Sequence, residues 1–573
     1  MTTRVFHGGS VFTGTGTPLS GQAVIVRDER IDRIVPESEL AALLGAEPEG
    51  SVELIDLHGA LLSPGFQDAH IHAVGGGVEL LQCDLSGTES AQEAVAAVRA
   101  YAEANPDEEW ILGGGWSMDS FPGGNPTRDL LDAAAPGRPV LLSSRDHHSV
   151  WASTTAIERA GVTADTPDPS DGVVIREGDG HPAGTFHEGA GDLFGAVRPV
   201  TSEELRYRGL LRAQEELIAL GITGWQDAMV GGGGAGIADP LPAYEHALAE
   251  GTLRVHVTGA QWWERDGGIE QVAHMVAERQ RVTALGSPER LEIGTTKIMV
   301  DGVAENHTAA MLTPYRDAHG HDTHNHGLSF IDPERLRAYV TALDAAGQQV
   351  HMHALGDRAV REALDALRDA RDANGPTDNR HHLAHLQIVA EEDVPRFAPL
   401  DAVANLQALW ATHEDQLDEL TLPFLQEGQE ARQYPFGDLV RAGVRLAAGS
   451  DWPVSSAAPI DAIHIAVNRT VPGSDREPLG GAHQRLDLAT AMAAYTSGSA
   501  YVNHREHDTG SIKPGYRADL VVLDPSPFEV AASEIHTSRV TQTWIDGVLL
   551  HSVETADSAA TRTTSIDEEG ELS

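Results

Sequence analysis

The stretch Ser63-Pro-Gly-Phe-Gln-Asp-Ala-His-Ile-His72 decides the fold. A Pro-Gly turn leads into a short strand pattern, residues 65–72, that finishes on two histidines. Seven later segments share this build, short β-rich runs with polar residues at their ends: 222–228, 253–260, 294–301, 349–354, 380–387, 402–409 and 444–451. Helix-like stretches lie between most of them, such as Leu336–Ala346 and Ala359–Ala373. Alternation of this kind predicts an α/β fold with a parallel sheet. Eight such units predict a TIM (β/α)8 barrel, whose active site gathers at the C-terminal strand ends.

One connection departs from the pattern. Residues 73–221 separate the first strand from the second, where a βα loop usually takes about two to six residues. This stretch carries a helix pattern at Ala91–Ala104, strand patterns at Trp110–Gly114 and Val140–Ser144, and a Gly/Asp-rich hairpin around Asp171–Gly184. It reads as a large insertion over the barrel mouth, where substrate selectivity would reside. The two ends of the chain are both β-rich, with turns after Arg27 and at Asp546-Gly547, and predict one composite β-sandwich. The expected division is therefore sandwich 1–62, first barrel strand 63–85, insertion 86–205, the rest of the barrel 206–504, sandwich again 505–551, and an acidic disordered tail 552–573.

The ends of the strands carry the chemistry. His70 and His72 are two apart on a strand and so face the same way. Alone this is a weak signal among 28 histidines, as His351-Met-His353 and the run 321–326 illustrate. Position strengthens it: His353 ends the fifth strand, His385 the sixth, and Asp451 the eighth. Four imidazoles and a carboxylate at matching ends of one barrel make a ligand set for a divalent cation. Zinc is the first expectation, as one or two ions, with Mn, Fe or Ni as alternatives.

Lys297, on the fourth strand, is the remaining candidate. The chain has 40 Lys+Arg, of which only Lys297 and Lys513 are lysines. A lysine carboxylated by CO₂ becomes an anionic carbamate able to bridge two metals, which arginine cannot. A carboxylated Lys297 is therefore the expectation, with packing or an ion pair as the alternative.

These residues carry a resemblance. Ser63–His72, His385 and Ser450-Asp451 resemble the amidohydrolase superfamily. Lys297-Ile-Met-Val-Asp-Gly302, Thr308-Ala-Ala-Met-Leu312, Pro314-Tyr315, His353-Ala-Leu-Gly-Asp-Arg-Ala359 and Gly510-Ser-Ile-Lys-Pro-Gly-Tyr-Arg-Ala-Asp-Leu-Val-Val-Leu523 are similar to its YtcJ-like branch, which includes N-substituted formamide deformylases. The resemblance implies a metal-dependent hydrolase on a distorted TIM barrel, with His70, His72, Lys297, His353, His385 and Asp451 as metal ligands. It implies that Asp451 is the general base and acid for cleavage of a C–N amide-type bond in an N-acyl amine, formamide or cyclic amide. It also makes His148 a group that reaches the substrate carbonyl, and Glu188 a contact for the substrate amine or a metal. Trp116 and Trp151 are candidate pocket walls, and the pair Trp262-Trp263 is similarly placed. Asp301-Gly302 and Gly356-Asp357 read as supports for the ligands or as simple turns. No His-Ala-x-Glu follows the fifth strand, so a deaminase is a poorer match. The alternatives are a mononuclear deaminase or cyclic-imide hydrolase on the same barrel, or a non-catalytic metal-binding regulator.

Composition bounds the partners. With 86 Asp+Glu the formal charge of the 573-residue chain is −46, which excludes a general nucleic-acid binder and disfavours anionic membranes. No apolar run approaches the length of a span, the N-terminus lacks the layout of a signal peptide, and Cys83 is the only cysteine. The expectation is a soluble cytoplasmic protein acting on a small-molecule amide, with a homodimer left open. A strong acidic excess with arginine in place of lysine resembles proteins of extreme halophiles, in which salt screens self-repulsion. The unfolding midpoint should therefore rise as KCl increases from about 0.1 M to about 1 M, while the Debye length shrinks from about 10 Å to 3 Å. A flat or falling midpoint in a thermal melt would count against that expectation.

Overall fold

The computed structural model describes residues 3–45, 48, 51–169, 171–232 and 238–553. All eight strand segments form. They are β1 (Phe66–Ile71), β2 (Ile222–Val230), β3 (His256–Trp262), β4 (Leu291–Met299), β5 (Gln349–Ala354), β6 (His382–His385), β7 (Val403–Leu406) and β8 (Leu446–Ala448). They pair in sequence order, every pair parallel. The third strand begins at His256 rather than Leu253, because Thr252 and Leu253 bond back to Ala247 O at the end of the preceding helix and Arg254 N donates to Gln214 Oε1.

The barrel is nearly closed. Between β8 and β1 there is no full ladder, and the seam is made just beyond the strands. Asp451 N donates to His70 O at 2.8 Å and His72 N to Trp452 O at 2.9 Å. Asp68 completes it from below: its carboxylate accepts from His70 N at 2.9 Å and from Ser450 N at 3.0 Å. Gly449 is required here, since a Cβ would come within 2.5 Å of His70 N. The resulting architecture is a distorted TIM barrel.

The crossover helices follow from their sequence signals. Pro333–Ala345 opens on Asp332, whose side chain accepts from Glu334 N and Arg335 N, with Pro333 at the first turn. Asp357–Asn374 turns Val360, Ala363, Leu364 and Leu367 to the core at helical spacing.

Residues from the two ends of the chain form two sheets. One holds Arg30–Pro36, Gln22–Arg27, Thr3–His7 and Val52–Asp56; the other runs Val548–Ser552, Arg539–Ile545, Leu520–Asp524, Leu61–Pro64, Ser10–Val11 and Leu19–Ser20. The strand Leu520–Asp524 at the middle of the second sheet is covered on both faces, which explains the unbroken apolar run Leu520-Val-Val-Leu523. Leu520, Val522, Leu62 and Trp544 face Phe6, Val24 and Ile55 of the first sheet, with Trp544 edge-on to Phe6. Val521, Leu523, Leu61 and Ile545 point the other way, into the barrel core. The turn at Asp546-Gly547 has both residues at positive φ, the geometry of a tight two-residue hairpin.

The long stretch after β1 carries its own sheet. It contains Gly172–Arg176, Pro182–Glu188, Ser149–Ala152, Val140–Ser144, Ile111–Trp116 and Cys83–Asp84 in that order, flanked by the helix Ala91–Ala104. Trp116 and Trp151 pack in its core with Phe121 and Leu131, both fully buried. Their indole N–H groups donate to Leu142 O and Thr127 O. The expectation that these tryptophans line the pocket is thus corrected: this sheet needs large apolar side chains for a core of its own. Among the described residues, no helix is long and apolar enough to cross a membrane. Of the expected tail, residues 554–573 lie outside the described residues.

His256, at the start of β3, is 3.0 Å from Asp519 beside the second sheet, with both side chains buried. Nearby, Asp546 pairs with Arg290 and Arg517. This cluster fastens the sheet to the underside of the barrel. Asp519→Ala should cost about 1–3 kcal/mol of unfolding free energy, because it leaves the buried Asp546 N–H and Thr509 hydroxyl without their acceptor. Denaturant titration in high salt measures this, and a change below 1 kcal/mol would contradict it.

Candidate metal centre

Four barrel strands and one short loop bring the donors together. His70 and His72 straddle the end of β1, His353 sits next to last in β5, His385 ends β6, and Asp451 follows β8. His70 Nε2 and His72 Nε2 stand 3.2 and 3.1 Å from the same Asp451 Oδ1. His385 lies on the other side, its Nδ1 3.9 Å from Asp451 Oδ2 and its ring 4.5 Å from that of His353. Lys297 Nζ, buried at 2% exposure, is 3.3 Å from His70 Nε2. All six side chains open on one cavity of about 340 Å³.

The donor chemistry fits a divalent cation. Both ring nitrogens of His385 and Oδ1 of Asp451 are buried without any hydrogen-bond partner. Orphaned buried polar atoms are costly, and here they are aimed at one another's neighbourhood. Contacts near 3.1–3.2 Å between a carboxylate oxygen and two imidazole nitrogens match ligands sharing one ion at bonds of about 2.0–2.2 Å. Burial holds His353 and His385 well below the usual imidazole range, and burial with Lys297 pushes His70 down to about 3. These rings are therefore neutral and can offer lone pairs. Burial also lowers the Lys297 amine to about 7. His385 and Asp451 have φ of 79° and 56°, a strained backbone that turns their side chains inward.

Supporting groups separate into those that serve the donors and those that do not. Asp301 accepts from the N–H of Ala310, Leu355 and Gly356, and stands 3.3 Å from His353 Nδ1, so it orients that ring. Asp357 instead accepts from Leu312 N and belongs to the turn. Gly356 is obligatory, since a Cβ would fall 2.0 Å from Ala310 O.

The insertion covers the cavity and contributes His148. Its Nδ1 lies 2.9 Å from Glu188 Oε2, while Thr308 Oγ1 donates to Glu188 Oε1 at 2.7 Å. Glu188 lines the cavity, and with one oxygen on His148 and the other on Thr308 it holds the His148 ring. Burial pulls the His148 pKa down, but the Glu188 carboxylate outweighs it and raises the value to about 9. His148 is then a cation at neutral pH, directed into the cavity. Trp262 lines the cavity, whereas Trp263 packs against Tyr339.

Sequence reasoning passed over Asp68, the carboxylate of the barrel seam, and Asp227, which accepts from Tyr244 Oη at 2.6 Å and lines the cavity. Asp68 had a signal available, because it shares its strand face with His70 and His72. Arg265 also lines the cavity, with its guanidinium 3.6 Å from the Phe330 ring centroid. A second group of three, His256, Asp519 and Asp546, is close enough to be considered for a metal. Its carboxylates are already committed to Thr509, the Asp546 N–H, Arg290 and Arg517, so it is an ion-pair cluster.

A profile described as the amidohydrolase family matches residues 53–551. The chain is 29% identical over 552 residues to YtcJ of Bacillus subtilis (strain 168), covering 96% of this chain and 99% of that one. It is 28% identical over 549 residues to the N-substituted formamide deformylase of Arthrobacter pascens, covering 92% and 94% respectively. A solved metal-dependent hydrolase of unassigned activity from Pyrococcus horikoshii superposes with a TM-score of 0.70 at 22% identity, covering 93% and 99%.

The His148–Glu188 pair gives a measurable expectation. In a histidine NMR titration His148 should lose its proton near pH 9. In Glu188→Gln that midpoint should move to lower pH, since burial then acts without the opposing carboxylate. An unmoved midpoint would refute the pairing.

Proposed function

This chain belongs to the amidohydrolase family, and from that premise we propose that it hydrolyses a C–N amide-type bond of a small N-acyl amine, formamide or cyclic amide. One observation carries the reading: Asp451 Oδ1 is unpartnered, buried and shared between two histidines at the floor of a cavity. His70, His72, His353, His385 and Asp451 would hold the ion, with Lys297 as a further ligand once carboxylated. A divalent cation held there, zinc in the first place, would acidify water toward neutral pH and polarise the scissile carbonyl.

The side chains supply the rest. Asp451 accepts a proton from the attacking water as its oxygen bonds to the carbonyl carbon. It returns that proton to nitrogen as the C–N bond breaks, so acid and amine leave with no net proton change on the protein. His148, charged and held by Glu188, donates a hydrogen bond to the carbonyl oxygen as negative charge develops, a term of about 3–4 kcal/mol for a well-placed donor. Trp262, Met229 and Met299 form an apolar patch on the cavity wall that suits the hydrocarbon part of an amide.

Lys297 supports a carbamate in two ways. Its amine is buried beside His70, and its lowered pKa leaves a share of it neutral near pH 7. A neutral amine nitrogen attacks CO₂, forming the N–C bond and releasing one proton to solvent. The opposing reading, a single-ion site, is favoured by the tight grouping of His70, His72 and Asp451 alone. The kinship to a formamide deformylase supports formamides as the first substrates to try.

The test is turnover of N-acyl amines, formamides and cyclic amides, with metal content measured beside it. Asp451→Asn should lower kcat by about a hundred- to ten-thousand-fold while keeping the fold. Lys297→Arg should lower the metal content if a carbamate bridges two ions. Near wild-type turnover in Asp451→Asn would overturn the assignment of the base.

A further inference from the structure

Beneath the donors the barrel interior is filled by a layer of buried polar side chains that hydrolysis does not use. Gln226, Gln349, His351, His382 and Asn405 are each at most 1% exposed. A polar layer in such a place is stable only if every donor meets an acceptor, so its protons can be assigned one by one.

The assignment starts from backbone carbonyls, which only accept. Gln349 Nε2 donates to Arg380 O at 2.9 Å and Val502 O at 2.8 Å, using both amide protons. Its Oε1 therefore accepts, from Thr295 Oγ1 at 2.6 Å and from Gln226 Nε2 at 3.2 Å. Gln226 Nε2 spends its other proton on Asn503 Oδ1 at 3.2 Å, which leaves Gln226 Oε1 as an acceptor. His351 Nδ1 lies 2.7 Å from that oxygen and must carry a proton. The His351 ring hydrogen-bonds to Gln226 Oε1 and His70 Nδ1 and pairs with no carboxylate among the described residues, so a second proton would be an uncompensated buried charge and its Nε2 is bare. His70 Nδ1, 3.0 Å from His351 Nε2, must then be the protonated partner.

A second anchor agrees independently. Asn405 Nδ2 donates to Ala69 O at 2.9 Å and to His382 Nδ1 at 3.2 Å. The His382 proton is thereby placed on Nε2, which donates to the same Gln226 Oε1 at 3.1 Å. Two routes from three carbonyls converge on one amide oxygen, and both require it to accept.

We infer that His351 and Gln226 are positioning residues that fix His70 as its Nδ1–H tautomer, leaving the Nε2 lone pair turned permanently toward the metal centre. With the other tautomer, Nε2 would carry a proton where it faces Asp451 Oδ1, and could not ligate an ion. The chain of hydrogen bonds thus prepares one donor before any ion arrives. This rests on the reading of His70 as a metal ligand, but the tautomer can be measured without any metal.

The test uses the full chain in two ways. In the metal-free protein, ¹⁵N shifts of histidine rings should show both His70 and His351 protonated on Nδ1 and bare on Nε2; a proton on Nε2 of either overturns the inference. Chelator competition then measures zinc affinity. His351→Phe, which can neither donate nor accept, should weaken it about 10- to 100-fold, as loss of such an outer partner generally does. His351→Gln should restore most of that loss, because one amide can donate to Gln226 and accept from His70. A folded His351→Phe with wild-type affinity, or a His351→Gln no better than Phe, refutes the role. If the wild-type chain binds no zinc, the metal reading fails on its own, while the ring shifts still decide the tautomer. If His351→Phe does not fold, the same shifts decide.

Discussion

The seam between β8 and β1 is the constraint on which the site depends. Asp68 reaches across it to the N–H groups of His70 and Ser450, and the backbones on either side exchange two hydrogen bonds just above. The seam sets Asp451 within 3.2 Å of both His70 and His72, although nearly the whole barrel lies between them in sequence. Burial raises the Asp68 carboxyl to about 7, so the seam tolerates its charge only through the N–H groups it accepts from. Gly449 completes the arrangement by having no side chain where the two strands meet.

Around this seam the interior is layered by function. The buried Gln/His/Asn stratum lies below, the neutral imidazoles and Asp451 above it, and the His148–Glu188 pair hangs over them from the insertion. Each layer compensates a different cost. The lower stratum satisfies its own hydrogen bonds through backbone carbonyls. Both ring nitrogens of His385 and Oδ1 of Asp451 remain unsatisfied, which is the expense a metal would offset. The upper pair keeps a cation in a buried place by setting a carboxylate against it.

The strongly acidic surface is separate from this chemistry. The groups that matter are buried, and buried pairs are screened little by salt. Surface charge answers to the solvent, while the site answers to its immediate neighbours.

The sequence by itself determined the eight strands, their order, the crossover helices and the candidate donors at the strand ends. This follows because periodicity, turn residues and caps are local, and a parallel barrel places like ends of consecutive strands together. The hairpin at Asp546-Gly547 and the cap at Asp332 were legible for the same reason. Only the tertiary structure decided what each polar group faces. Glu188 lines the cavity, but its bonds to Thr308 and His148, far from it in sequence, exist only in the fold. Trp116 and Trp151 looked like pocket walls until the insertion proved to need its own core. His351 passed for a chance repeat beside His353, yet it lies against His70 because adjacent residues of a strand point to opposite faces and those one apart point to the same one. A side chain's partners depend on distances that the chain spans only after folding, and no local pattern records them.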